Sequence, residues 1–507
     1  MLFKDSDQPV ARAISGVAAC NPFSARRLSL EREATGDAPG AEAGELWSRE
    51  ALIAAEERPS LRRVNARCEE LITHARERIA SGAAASDEEL RLYEDLVLYT
   101  LYSDHIADLD ALIANAAESD AQTPEAPGWK RFRHACNEWL MPGGIALPSD
   151  RRPAHLYAVF FQIRRAFRAI FDRYVGRSRP AGALREAIWE SVFTRDLRLY
   201  IDALYTTMGS FSTLITGESG TGKEIVAGAI GNARFIPFDP VRGRFTVPIG
   251  SGYVPVNLAS LSPTLIESEL FGHRKGAFTG ATSDRVGYFE GSSAHGSVFL
   301  DEIGELDAGI QVKLLRLLQD RTLTRIGETR VRRFAGKVIA ATNRDLHEAI
   351  GSGAFREDLY YRICSDTIRT PPLREQFRDR PDDLLAMVGF VAHTLVPANG
   401  ALAERLAHES HAMILEQLGA DYPWPGNFRE LEQCVRGMLI RGRYTPNRPK
   451  GTALADLLSD TRCTADELLS AQCVAAYRRL GSYQGVAREL GIDRRTVKAR
   501  IGHAEEN

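Results

Sequence analysis

The stretch Leu214-Ile215-Thr216-Gly217-Glu218-Ser219-Gly220-Thr221-Gly222-Lys223-Glu224 leaves this chain few ways to fold. A short apolar run ends at a glycine, a helix-compatible run from Glu224 to Ile230 follows, and Gly-x-x-x-x-Gly-Lys lies between them. The glycines let the backbone curl so that its N–H groups surround a phosphate. The helix N-terminus behind them favours negative charge, and the lysine reaches the outer phosphates. The competing reading is a chance glycine-rich turn. Strand before, helix after and an acidic strand downstream count against it. One position departs from the usual motif: Glu224 stands where a Ser or Thr hydroxyl would serve magnesium.

At 507 residues the chain has room for about three or four domains. Its formal net charge of −3 means that any surface for nucleic acid must be local. Seven scattered cysteines without a C-x-x-C pair read as a reduced, cytoplasmic protein, not a disulfide or zinc framework. Neither a membrane-length apolar run nor an N-terminal signal core is present.

Residues 1–180 read as a mainly helical domain. Residues 1 to about 45 are mixed, with turn signals at Asn21-Pro22 and Pro39-Gly40. Leu61, Val64, Cys68, Leu71, Ile72, Ala75 and Ile79 then recur on one helical face. Ser86-Asp87-Glu88-Glu89 is a capped start to a second helix carrying Leu90, Leu96, Leu101, Ile106, Leu109 and Ile113. Ala121 to Asp150, with four prolines, reads mainly as connections. A third helix carries Leu156, Phe160, Phe161, Ile163, Phe167, Ile170 and Phe171, and Gly176 to Pro180 ends it. Its aromatic stripe reads as core before it reads as a ligand pocket. His105, His134, His155, Cys68 and Cys136 match no metal-site spacing. No strand alternation points to a receiver or a ligand-sensing sheet, and no signal can be named.

In the central region, Gly231 to Gly252 reads as an excursion and Val254 to Leu258 as a strand bearing Asn257. Leu265 to Phe271 is a short amphipathic helix running into Gly272-His-Arg-Lys-Gly-Ala-Phe-Thr-Gly-Ala281. Phe278 among small residues is a candidate binding tip. Val298-Phe-Leu-Asp-Glu302 is an apolar strand ending in two carboxylates, Asp301 to hold magnesium and Glu302 to polarise a water. Another buried strand, Val338 to Asn343, ends in polar residues able to read a γ-phosphate. Arg356 and Arg362 are either surface charges or, in a ring, fingers reaching the neighbour's nucleotide.

Residues from about 185 to 440 resemble the AAA+ domain of bacterial enhancer-binding proteins, the activators of sigma-54 RNA polymerase. The resemblance is carried by Gly217–Glu224, Glu267–Gly272, Gly276–Ala281, Phe299–Gly304, Ala341–Asp345, Phe355–Arg362 and Trp424–Leu431. It implies an α/β AAA+ core over 181–375, a helical lid over 376–441, and ATP with Mg2+ as cofactors. In this family the glutamate after the lysine is normal. Gly217, Glu218, Ser219, Gly220, Thr221, Gly222, Lys223 and Glu224 would cradle the nucleotide, with Asn343 and Arg429 as first and second sensors. Lys223, Asp301 and Glu302 form the hydrolysis core, and Asp301 the metal ligand. Asn257 resembles the switch residue that holds Glu302 away from water, and Arg356 and Arg362 the trans-acting fingers of a ring, a hexamer by resemblance. Gly276, Ala277, Phe278, Thr279, Gly280 and Ala281 match the loop that contacts sigma-54. The excursion and the lead-in from Trp189 to Gly209 depart from the pattern.

A linker over 442–463 and an all-α segment over 464–507 close the chain. Short helix, glycine turn and basic helix form a helix-turn-helix pattern, and 474–503 hold seven Arg or Lys against two acids. The segment resembles the Fis-type DNA-binding domain, with Arg494, Arg495, Thr496, Lys498 and Arg500 as candidate contacts to double-stranded enhancer DNA. The implied protein is an ATP-dependent activator that opens promoters with sigma-54 polymerase. Two rivals are a helicase-like remodeller, which has no use for the Gly276–Ala281 loop, and a repressor with a vestigial ATPase, which the intact catalytic set argues against.

Overall fold

The computed structural model describes residues 1–36, 59–118, 125–140, 147–148, 152–250, 252–446 and 464–506. They form two compact units, Met1–Ile440 and Arg441–Asn507. Most of the expected linker, from residue 447 to 463, lies outside the described residues.

Eight helices open the described chain: α1 Gln8–Ala19, α2 Ala25–Thr35, α3 Pro59–Ala80, α4 Asp87–Asp104, α5 Ile106–Glu118, α6 Trp129–Trp139, α7 Pro153–Arg173 and α8 Arg179–Phe193. The stripe expected for α3 is buried at Val64, Cys68, Leu71, Ile72, Ala75 and Ile79. Ser86 and Glu89 form the reciprocal capping box that starts α4. The second expected helix is two, because the chain turns at His105 between α4 and α5. Two further expectations need correction. The mixed first 45 residues contain α1 and α2, and the proline-rich 121–150 contains α6. Helix α2 buries only Glu31 and Ala34, and α6 only Trp129, Phe132 and Cys136, so neither carries a broad apolar stripe. Packing against neighbours makes them helices, not local pattern.

The α/β core is a five-stranded parallel sheet in the order β11-β1-β10-β7-β4. Its strands are β1 Thr213–Thr216, β4 Tyr253–Asn257, β7 Ser297–Asp301, β10 Lys337–Thr342 and β11 Asp366–Arg369. Three two-stranded hairpins decorate it: β2 Phe238–Asp239 with β3 Arg244–Phe245, β5 Gly272–His273 with β6 Arg285–Val286, and β8 Thr322–Leu323 with β9 Arg332–Arg333. The core helices are α9 Lys223–Asn232, α10 Pro263–Phe271, α11 Ala308–Asp320, α12 Leu346–Gly351 and α13 Glu357–Ile363. A lid of α14 Leu373–Asp379, α15 Asp383–Leu395, α16 Gly400–Gln417 and α17 Asn427–Arg441 follows.

The boundary expected at 180/181 falls inside one compact unit. A single buried cluster runs from Leu71 and Tyr157 through Phe161 to Ile230, Phe299 and Ile339. The 231–252 excursion makes much of that seam. Its hairpin places Phe238 4.8 Å from Trp129 and Phe245 4.5 Å from Phe161, ring to ring. Trp129 Nε1 also donates to Pro240 O at 3.3 Å, and Gln162 Nε2 to Ala233 O at 2.7 Å.

The second unit holds three helices, α18 Ala465–Leu480, α19 Tyr483–Leu490 and α20 Arg494–Glu506. They share a small core of Cys473, Ala476, Val486, Val497 and Ile501.

Candidate functional site

Strand β1 ends at Thr216, and the chain turns through Gly217, Gly220 and Gly222, all at positive φ, before α9 starts at Lys223. Two of these glycines are required by close approach. A Cβ on Gly217 would lie 2.1 Å from Thr370 Oγ1, and one on Gly220 would lie 2.2 Å from Gly426 O in the lid. The result is a bare-backbone cradle at a helix N-terminus, which fits a polyphosphate. Lys223 folds over it and donates to Gly217 O at 2.9 Å and Glu218 O at 3.2 Å. Burial pulls the Lys223 ammonium below the ordinary lysine range, and Glu302 and Asp301 partly oppose this.

Asp301 and Glu302 end β7 beside that lysine. Burial raises the Asp301 carboxyl, with Lys223 pulling the other way. A half-buried carboxylate held this way is a fitting ligand for a divalent cation. Glu302 sits in the left-handed region at φ 58°, rare for a residue with a side chain, so the backbone is strained where the carboxylate is aimed. Its N–H donates to Asp301 Oδ1 at 3.1 Å, and its Oε2 accepts from the Asn343 N–H at 3.3 Å.

Asn257, the expected switch residue, makes a different contact here. The structure brings Asn257 level with Asp301 across β4 and β7. Its Oδ1, however, accepts from Ser260 N–H at 3.2 Å and caps the turn after β4. Among the described residues no Asn257–Glu302 hydrogen bond forms. The backbone of the first-sensor position, Asn343, holds the carboxylate instead.

The lid reaches the loop through residues that the sequence reading passed over. Glu218 is gripped by the Arg374 guanidinium, with Nη1 to Oε2 at 2.7 Å, and by Asn427 Nδ2 at 3.2 Å. The Arg374 hydrogen bond, opposed by desolvation, holds the Glu218 carboxyl below the ordinary range. Asn427, at φ 52°, also donates to Ser219 O at 3.0 Å and accepts from Leu373 N–H at 2.9 Å. Thr370 Oγ1 lies 2.7 Å from Thr221 Oγ1. Arg429, the expected second sensor, is in place, with Nη1 donating to Ser219 Oγ at 3.1 Å. Asn427 stood inside the quoted Trp424–Leu431 run and could have been singled out, whereas nothing local marks Arg374 or Thr370.

Arg356 is the N-cap of α13 and Arg362 lies in its last turn, and both are exposed. Arg356 is paired with Asp358 at 2.7 Å. The Gly276–Ala281 segment is a closed turn, with Gly276 N–H donating to Ala281 O at 2.8 Å. Phe278 is 37% exposed and lies edge-on to His273 at 5.0 Å.

In the second unit, Arg494, Arg495 and Lys498 are exposed on α20, and Thr496 is half-buried. Arg500 differs from expectation: its Nη2 is 2.7 Å from Asp466 Oδ1 on α18, so it ties helices together in this structure. Among the described residues there is no cluster able to hold a metal through three His, Cys, Asp or Glu side chains. No described helix is long and apolar enough to cross a membrane.

Glycine cradle, lysine, strand-end carboxylates and a lid arginine define a P-loop nucleotide-binding module with a helical lid. Residues 193–369 match the Sigma-54 interaction domain family. The chain is 43% identical over 229 residues to the sigma54-dependent transcriptional activator SfnR of Pseudomonas putida, covering 45% of this chain and 57% of that protein. It is 37% identical over 303 residues to the Nif-specific regulatory protein of Klebsiella pneumoniae, covering 57% and 53%. Among solved structures, NtrX from Brucella abortus aligns over 73% of this chain and 80% of that one, at 22% identity and a TM-score of 0.41. The chain spans little more than half the length of the two curated relatives. Over its centre it matches the Sigma-54 interaction domain and is similar there to the sigma-54-dependent activators, as the motifs implied.

Proposed function

We propose that the chain is a cytoplasmic, ATP-hydrolysing transcriptional activator that binds enhancer DNA and opens promoters held closed by sigma-54 RNA polymerase. What carries the reading is the join between the nucleotide site and an exposed loop. Strand β4 ends at Asn257 beside Asp301, and the same chain continues through α10 to the turn that displays Phe278 and Thr279.

In this reading the Gly217–Glu224 cradle holds the phosphates of ATP, and Lys223 swings from the loop carbonyls to the outer phosphates. Asp301 holds Mg2+, which when bound neutralises phosphate charge. Glu302 orients the attacking water, and Asn343 and Arg429 register the γ-phosphate from the core and the lid. Arg356 leaves Asp358 to join Arg362 at a neighbour's nucleotide, which requires a ring, a hexamer by family resemblance. Release of Glu302 from Asn343 and of the Asn257 cap then shifts α10 and the Phe278 loop against sigma-54. The second unit serves as a helix-turn-helix with α20 in the major groove, where Arg494, Arg495, Thr496 and Lys498 reach DNA. Arg500 would first have to leave Asp466.

The test is open-complex formation on a sigma-54 promoter with the full chain and ATP. Opening that needs hydrolysable ATP and vanishes in Lys223→Ala supports the reading. ATP hydrolysis without opening sinks the sigma-54 assignment and leaves a remodeller of another target.

A further inference from the structure

Two cavities of similar size and different charge lie in the first unit, the second of them at the seam between the N-terminal helices and the α/β core. The larger, about 720 Å3, lies among the N-terminal helices α1 to α5, α7 and α8, and most of its cations are matched by acids. Arg27 pairs with Glu31, Arg164 with Asp110 and Arg198 with Asp95, at 2.5 to 2.9 Å. The smaller, about 690 Å3, is lined by Arg152, Arg234, Arg321, His155 and His295 and, among the described residues, by no Asp or Glu. Its walls come from the start of α7, the lead-in around Tyr205, the excursion from Arg234 to Pro240, and the core at His295 and Phe334.

Arg234 is the anomaly. Its guanidinium makes no hydrogen bond or ion pair with any described residue, and its Nε is shut away from water without a partner. Burial depresses it, and Arg321 repels it. Arg321 turns its Nη atoms to the carbonyls of Gly336 and Ser210, and lies 5.9 Å over the Phe334 ring. Behind them Lys337 donates to Phe211 O at 2.9 Å. The carboxylate acting on Lys337 is Asp366, which accepts from the Thr213 hydroxyl and does not line the cavity. Arg234 and Arg321 are half-buried, and two such cations facing a cavity with no carboxylate in its described lining make it electropositive and suited to an anion. The remaining walls are aromatic: His155, Tyr205 and Phe235 contact one another at 4.4 to 5.7 Å between ring centres.

We propose that this cavity binds a small anion with a planar apolar body, an aromatic carboxylate or an aromatic phosphate ester, whose anionic group pairs with Arg234 and Arg321. The volume lies within the range of small-molecule sites, and an apolar wall with a few convergent charges is their usual make-up. Because one wall is N-terminal helix and another is α/β core, occupancy would tie the two regions together. The inference stands apart from the activator reading.

The experiment uses the full chain with its P-loop filled by ADP, so that the nucleotide site cannot take the probe. Thermal unfolding is followed with 2-naphthoate, its neutral analogue 2-naphthamide, and inorganic phosphate. The expected result is a melting temperature raised by naphthoate and not by naphthamide, with at least tenfold weaker naphthoate binding in Arg234→Met. That variant should itself melt near the wild-type temperature, since it removes a half-buried cation that has no ion pair with a described residue. A rise with phosphate also would show that the anion suffices, and no rise would show that the ring is needed. Arg321→Gln serves as the second variant should the first not fold. Equal effects of naphthoate and naphthamide, no effect of any anion, or undiminished binding in the folded variants would overturn the proposal.

Discussion

At the scale of single residues, the nucleotide site is a set of charges kept partly out of water and aimed at a ligand. Glu302→Gln keeps size and the acceptor for Asn343 N–H but loses the basic carboxylate. Hydrolysis should fall by roughly two to four orders of magnitude with nucleotide affinity retained, read from turnover against equilibrium binding. Lys337 yields a pH prediction. Burial, with Arg234 and Arg321 adding to it and Asp366 opposing, pushes it down to about 7. Between that value and the ordinary lysine pKa of about 10.4, the unfolded chain holds a proton that the native state lacks. Stability contributed by this group therefore rises with pH across the window and is lost as pH falls through about 7. Lys337→Met should flatten that slope in denaturation series between pH 7 and 10. Lys223, Asp301 and Glu302 were legible because phosphate chemistry demands those types at those places in a strand–loop–helix. The Glu218–Arg374 clasp was not, since 156 residues separate its partners and no local pattern marks Arg374.

At the scale of elements, the hairpin Phe238–Phe245 fastens the N-terminal helices to the core. Phe238→Ala or Phe245→Ala should each cost about 3 to 5 kcal/mol in denaturant unfolding, as for other buried phenylalanines. A cost below about 1 kcal/mol would mean that the aromatic seam contributes little. In the second unit the Thr464–Glu467 capping box starts α18, and Thr464→Ala should cost about 1 kcal/mol there. Helices with a continuous stripe or a capping box, α3, α4 and α7, could be read from sequence. Helices α1, α2 and α6 could not: α6 sits among prolines and starts at Gly128 without a side-chain cap. The excursion was noticed as a departure, but its purpose depends on Trp129, Tyr157 and Phe161, which lie far away in sequence.

At the scale of the molecule, the N-terminal helices and the α/β core share one apolar cluster, so removing the former would bare the latter. A chain begun at residue 181 also loses the carbonyls of Tyr174 and Gly176, which hold the buried Arg185 guanidinium at 2.8 and 2.7 Å. Ser178 and Arg177, whose N–H groups donate to Asp383, go with them. Such a fragment should self-associate, seen by sedimentation, and melt below one begun at Tyr174. The central claim is that hydrolysis at the Lys223–Glu302 site drives the Phe278–Thr279 loop against sigma-54. The most direct measurement is the number of promoters opened per ATP hydrolysed, for the full chain and for Thr279→Ala. The account predicts near wild-type hydrolysis with opening abolished in the variant. Equal opening by both proteins at equal turnover would contradict it.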